Sequence, residues 1–155
     1  MIKLVRLDYR LLHGQVCFTW VQHCDAQRII VVDDASASND LKKSALKLAK
    51  PQGVRLNVFT CELAIKKMPK VEQLDENIIM IFGSTRELAC FCMAWPKVRE
   101  INYGATANKE GAHQYGDSIF LDANEREDTQ RLLDRGIFVY IQQTPMMSRK
   151  RLVSV

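Results

Sequence analysis

Short apolar runs alternate with segments of helical period along almost the whole chain. The runs rich in Ile, Val and Phe are Ile2–Leu7, Ile29–Val32, Arg55–Phe59, Ile78–Phe82, Val98–Ile101, Ser118–Leu121 and Phe138–Ile141. Each has the length and β-branched content of a buried strand. Between them the period changes. Val16, Trp20 and His23 share one helical face, and so do Leu41, Ala45, Leu48 and Ala49. Cys61–Met68 and Glu87–Met93 read as shorter helices, and Glu125–Arg135 as a helix stopped by Gly136. Pro51, Pro69, Pro96 and Pro145 are read as breaks between elements. Tyr103–Asp117 shows no period and is read as a loop, with room for a helical turn. Repeated strand–helix alternation with doubly buried strands predicts an α/β fold: a single open, mostly parallel twisted sheet with helices on both faces.

In such sheets ligands gather beyond the carboxyl ends of the strands. The first strand ends in Asp8-Tyr9-Arg10-Leu11-Leu12 and delivers His13 to the start of a helix. The first amides of a helix have no intrahelical acceptor, and the helix dipole favours an anion there. An imidazole at that point, with Arg10 three residues upstream, suits a phosphoryl group. A phosphoryl acceptor needs a free ring nitrogen. Phosphoryl transfer asks a protein mainly for positioning and charge stabilisation. Arg10 and the amides after His13 supply both, and Gly14 lets the backbone approach a ligand closely. Asp8 is placed to hold Arg10 or the second ring nitrogen. The bland alternative makes His13 an ordinary capping histidine. Asp33, Asp34, Ser84 and Asn102 end other strands and share the same rim; for the two aspartates, turn and helix-start roles are the competing reading.

Composition narrows the classes. The chain has 155 residues, 47% hydrophobic and 26% charged, within the range of one globular domain, read here as residues 1–155. No apolar run reaches bilayer-spanning length. The N-terminus lacks a secretory pattern, so a cytoplasmic location is the default expectation. A net charge of +4 is too small and scattered for nucleic acid. Arg149-Lys150-Arg151 is read as a solvated end. The five cysteines show no C-x-x-C pair or metal-like block, so most are read as small buried thiols, with Cys17 a candidate for oxidation. Trp20 and Trp95 are assigned to core or interface, Met146-Met147 to hydrophobic packing, and His113 to the surface unless its loop closes over His13. Neither a Walker loop nor a G-x-G-x-x-G is present.

The string Arg6-Leu7-Asp8-Tyr9-Arg10-Leu11-Leu12-His13-Gly14-Gln15-Val16, followed by Trp20, resembles the active-site segment of a known family. That family is the enzyme IIB components of the mannose/fructose/sorbose-type bacterial sugar phosphotransferase system. Ile29–Asp34, Leu41–Val54, Ile101–Gly104 and Gly136–Gln142 extend the resemblance over nearly the whole chain. It implies a phosphocarrier in which His13 accepts a phosphoryl group from a phosphohistidine on enzyme IIA. The group then passes to a sugar held by the membrane components IIC and IID, which would bring the protein to the inner face of the membrane. Arg10, Gly14, Gln15 and Val16 are then expected to bind phosphate, with Asp8 and Arg6 in support. The resemblance implies Nδ1 as the phosphorylated atom and calls for neither cofactor nor metal. Two departures stand out. Tyr103 replaces a small residue, and Ala105-Thr106-Ala107-Asn108 breaks the usual pattern of the following loop. Two other functions stay open: a phosphatase working through phosphohistidine, although Leu12 stands where histidine phosphatases carry arginine, and a signalling module phosphorylated on Asp33 or Asp34. An oligomer is compatible with the sequence.

Overall fold

The computed structural model describes all 155 residues. In chain order the elements are β1 (Ile2–Asp8), α1 (Gly14–Cys24), β2 (Arg28–Val32), α2 (Asp34–Ala37), α3 (Asp40–Ala49), β3 (Arg55–Phe59), α4 (Cys61–Val71), β4 (Ile78–Phe82), α5 (Thr85–Ala94), β5 (Glu100–Ala105), β6 (His113–Gly116), β7 (Ile119–Leu121), α6 (Ala123–Asp134), β8 (Phe138–Ile141) and β9 (Lys150–Leu152). The main sheet has seven strands in the order β3-β2-β4-β1-β5-β8-β9. All pairings are parallel except that of β9, which runs antiparallel along β8. The open, mostly parallel α/β sheet predicted from the alternation is therefore present.

Two cores lie on the two faces of this sheet. Val5, Leu7, Ile30, Val32, Met80 and Phe82 point into the larger one, beneath α4, α5 and α6. Leu4, Ile29, Val31, Ile79 and Ile81 point the other way, against Cys17, Trp20 and Val21 of α1 and Leu46 of α3. All of β4 is buried, as expected of a strand covered on both faces. Helix starts follow the local chemistry: Asp33, Asn39, Thr60 and Ser84 each accept an amide of the turn they open, and Asp122 with Glu125 forms a capping box.

Several expectations need correction. Tyr103–Asp117 is not a loop with a helical turn. Its first residues finish β5, and its last form β6, which pairs antiparallel with β7 in a separate two-stranded ribbon. Polar residues at exposed β6 positions hid the strand. Arg149-Lys150-Arg151 is solvated as expected, but it is also ordered: Lys150 and Arg151 pair with Ile141 and Tyr140, and Arg149 lies 4.2 Å over the Tyr140 ring. Pro69 lies inside α4 rather than after it, in the last turn, where only one backbone bond is lost. Met146 and Met147 are exposed instead of packed. In α3 only Leu46 is buried; the predicted stripe of Leu41, Ala45, Leu48 and Ala49 faces solvent.

Candidate active site

β1 lies between β4 and β5, and its carboxyl end opens onto a short loop, Tyr9–Leu12, before α1. The loop is tightly held. The Tyr9 amide donates to the Ala105 carbonyl at 3.1 Å and the Leu11 amide to the Asp8 carbonyl at 3.0 Å. Leu12 is buried and Leu11 packs on the same core, so two apolar anchors fix the chain just before His13. Leu11 has φ 58°, a left-handed conformation that costs a non-glycine residue roughly 1–2 kcal/mol. Such strain is characteristic of functional loops. Gly14 also has a positive φ, 50°, and a side chain there would be strained although space is open around it.

His13 occupies the N-cap of α1. Its backbone is extended, its side chain is exposed and makes no capping bond. Its carbonyl accepts the Cys17 amide at 3.4 Å, while the amides of Gly14, Gln15 and Val16 have no acceptor within the chain. His13 therefore immediately precedes three free N–H donors at the positive end of an eleven-residue helix.

Behind this loop lies a charge cluster. Asp8 is buried, and its carboxylate takes four donors: Arg6 Nη2 at 3.0 Å, the Arg10 amide at 3.0 Å, and Arg10 Nε and Nη2 at 3.1 Å each. Asp8 thus holds Arg10, and its oxygens are filled without the second ring nitrogen of His13. Arg6 is fully covered. It donates to the Asn102 side chain, to the Gln142 carbonyl at 3.2 Å and to the Gln143 carbonyl at 3.1 Å. Its guanidinium lies 5.4 Å from the centre of the Trp20 ring, whose N–H donates to the Gln143 carbonyl at 3.0 Å. Burial lowers the Arg6 pKa, and the adjacent Asp8 opposes that shift. The hydrogen bonds to Asp8 raise that of Arg10. Two guanidiniums share one carboxylate, so the cluster keeps one excess positive charge. Arg6 is sealed inside while Arg10 remains 21% exposed, so the excess is presented to solvent at the rim.

The structure thus joins Arg6, Asp8 and Arg10 in one network and places His13, Gly14, Gln15 and Val16 together at the helix start. Sequence reasoning missed Gly104 and the roles of Asn102, Gln142 and Gln143. A side chain at Gly104 would overlap the Arg6 guanidinium, so only glycine leaves room for that arginine. The signal was a buried Asn and a Gly two residues apart in an apolar strand. Tyr103 between them points the opposite way, into the larger core, where its hydroxyl meets that of Thr129 at 2.8 Å. The Tyr103 departure therefore leaves the site's shape alone. His113 is exposed on β6.

The other rim residues have structural partners. Asp33 accepts from the amide and hydroxyl of Ser36, and Asp34 accepts the Cys61 amide at 2.8 Å. Ser84 donates to Glu87 at 2.8 Å, and Glu87 accepts the Asp34 amide at 2.6 Å. The turn and helix-start reading of both aspartates describes these contacts. Cys17 is buried, and desolvation pushes its thiol up to about 11, so it is a poor candidate for oxidation.

The family model of the PTS system sorbose subfamily IIB component matches residues 2–155. The chain belongs to that family. It is 29% identical over 137 residues to the sorbose-specific EIIB component of Lacticaseibacillus casei, covering 88% of this chain and 84% of that one. It is 28% identical over 145 residues to the N-acetylgalactosamine-specific IIB component 1 of Escherichia coli K12, covering 93% and 91%. The mannose-specific EIIAB component of the same strain matches at 28% over 137 residues, but the chain spans only 42% of that longer protein. The crystal structure of the E. coli N-acetylgalactosamine-specific IIB component 1 superposes with a TM-score of 0.91 at 25% identity, covering 98% of this chain and 99% of that one. The IIBSor domain of the Klebsiella pneumoniae sorbose permease has the same fold, with a TM-score of 0.91 at 24% identity over 99% and 94% of the two chains. As a IIB component this chain is a phosphotransferase: it takes a phosphoryl group from enzyme IIA and hands it on to a sugar. None of its helices is long and apolar enough to cross a membrane.

Proposed function

We propose that His13 is the residue that carries the phosphoryl group. The observation supporting this is the exposed imidazole at the N-cap of α1, beside the unpartnered amides of Gly14, Gln15 and Val16. In the first step a ring nitrogen of His13, Nδ1 by the family resemblance, attacks phosphorus. The N–P bond of the IIA phosphohistidine breaks as the new N–P bond forms, and the electron pair returns to the donor imidazole. In the second step that bond breaks as a sugar hydroxyl attacks, the hydroxyl proton is lost, and His13 is restored. The metaphosphate-like transition state spreads charge over three oxygens. In this reading the three amides and the exposed edge of Arg10 meet that charge, and Asp8 keeps the Arg10 fork from swinging into solvent. Arg6 acts at one remove, by fixing Asp8.

The immediate donor is the IIA protein of the same uptake system, and the acceptor is a sugar held by its IIC and IID membrane proteins. The carrier then works on the cytoplasmic side, where the permease presents its sugar. The test is to incubate wild type and His13→Ala with phosphorylated IIA and isolate the adduct. Wild type should gain an acid-labile, alkali-stable phosphate and His13→Ala none. Equal labelling of both would refute the proposal. Arg10→Ala should label more slowly; an unchanged rate would remove Arg10 from the reaction.

A further inference from the structure

α4 and α5 pack together over the larger core, and each carries a cysteine at their contact. Cys61 is the first residue of α4, and its amide donates to Asp34 at 2.8 Å. Its thiol reaches across to α5 and donates to the Glu87 carbonyl at 3.4 Å. A helical side chain leans back over the turn that precedes its own Cα. The space beside the Glu87 carbonyl is therefore covered from within α5 by the residue three positions on, which is Cys90. The two thiols meet there and share a hydrogen bond. Cys61 is buried and Cys90 is exposed.

A thiol packed in a core is inert, and the other cysteines fit that description better. No second thiol is among the groups that act on Cys17, Cys24 or Cys92. Cys61 and Cys90 differ in having each other, with one sulfur sealed and its neighbour open to water. That is the arrangement of an oxidant-facing cysteine beside a resolving one. Burial raises the Cys61 pKa, so Cys61 stays protonated and the open Cys90 meets the oxidant first.

We propose that Cys61 and Cys90 form a modification site for hydroperoxides, closing to a disulfide that joins α4 to α5. With hydrogen peroxide, Cys90 gives its proton to water and its sulfur attacks a peroxide oxygen. The O–O bond breaks, Cys90 becomes a sulfenic acid, and the other oxygen leaves as water. The Cys61 sulfur then attacks the Cys90 sulfur. The S–S bond forms, the S–O bond breaks, and hydroxide leaves as water with the Cys61 proton. Two thiols lose two electrons and two protons, and one peroxide becomes two waters. A dithiol reverses the change by thiol–disulfide exchange.

The test treats the reduced, full-length protein with a slight excess of hydrogen peroxide, then alkylates it in denaturant and weighs it. Of the five cysteines, five should take the label before oxidation and three after it, and dithiothreitol should restore all five. Peptide mapping should recover one linked pair, Cys61 with Cys90. Cys61→Ser should keep the wild-type circular dichroism and stop at a sulfenic acid on Cys90, captured by dimedone. Cys90→Ser should keep its remaining thiols alkylatable. The proposal is overturned if wild type keeps five alkylatable thiols, if the linked peptides join another pair or two chains, or if Cys90 passes to sulfinic acid while Cys61 stays free.

Discussion

Replacing Asp8 by asparagine keeps the shape of the side chain and removes its charge. One oxygen of Asp8 accepts the amide and Nε of Arg10; the other accepts Nη2 of both Arg6 and Arg10. An asparagine has one oxygen for two such positions. Whichever way the amide is turned, its NH₂ group faces two donors. Two charge-assisted bonds are lost, each worth about 1.5–3 kcal/mol. Arg6, 3% exposed, is then left as an uncompensated buried cation. Breaking a buried pair from one side costs about 3–5 kcal/mol, and both routes agree on that range. For a chain of this size the melting temperature should fall by about 6–20 °C, at about 2–4 °C per kcal/mol. Urea unfolding followed by far-ultraviolet circular dichroism gives the free energy directly. Single-turnover labelling by phosphorylated IIA, corrected for folded fraction, should also slow, because Arg10 loses its anchor. A loss below about 1 kcal/mol would show that the carboxylate charge does not hold the two guanidiniums, and the account of the cluster would fail.

Gly104→Ala should cost a similar amount by the opposite route, since its methyl group displaces the Arg6 guanidinium from Asn102, Gln142, Gln143 and Asp8; an unchanged urea midpoint would contradict this. Gly14→Ala should lose about 1–2 kcal/mol for its positive φ and slow labelling of His13, because the first amides of α1 move with it. Wild-type labelling rates in that variant would separate the backbone conformation from the reaction. Glu87 titrates above the usual carboxylate range, chiefly because burial disfavours its charged form. The folded protein therefore binds that proton more tightly than the unfolded chain, and wild type loses stability as pH rises through the range from the ordinary glutamate value to the raised one. Glu87→Gln should accordingly gain relative to wild type as pH rises above the ordinary glutamate value of about 4.3; a difference in melting temperature that does not move with pH would refute it.

The segment Arg6–Val16 carried the site in its own order of residues. A strand ending in a charged turn, then His13 and Gly14 at a helix start, is local chemistry that needs no partner to be read. The parallel sheet was legible for a related reason, because strands buried on both faces must be apolar throughout, as β4 is. β6 was not legible, because an exposed ribbon carries no such constraint.

What the sequence alone determined was an imidazole at a helix start, the free amides that follow it and the alternation that builds the sheet. All of these depend on neighbours in the chain. Only the tertiary structure decided which face of α3 is buried, and which residues close around Arg6. Asn102, Gly104, Gln142 and Gln143 are 96 or more positions away along the chain from that arginine, and they reach it because β1, β5 and β8 lie side by side in the sheet. Hydrophobic period fixes an element's type. The direction an amphipathic helix turns its apolar side depends on what lies beneath it, and for α3 that space takes Leu46 and leaves Leu41 and Leu48 outside.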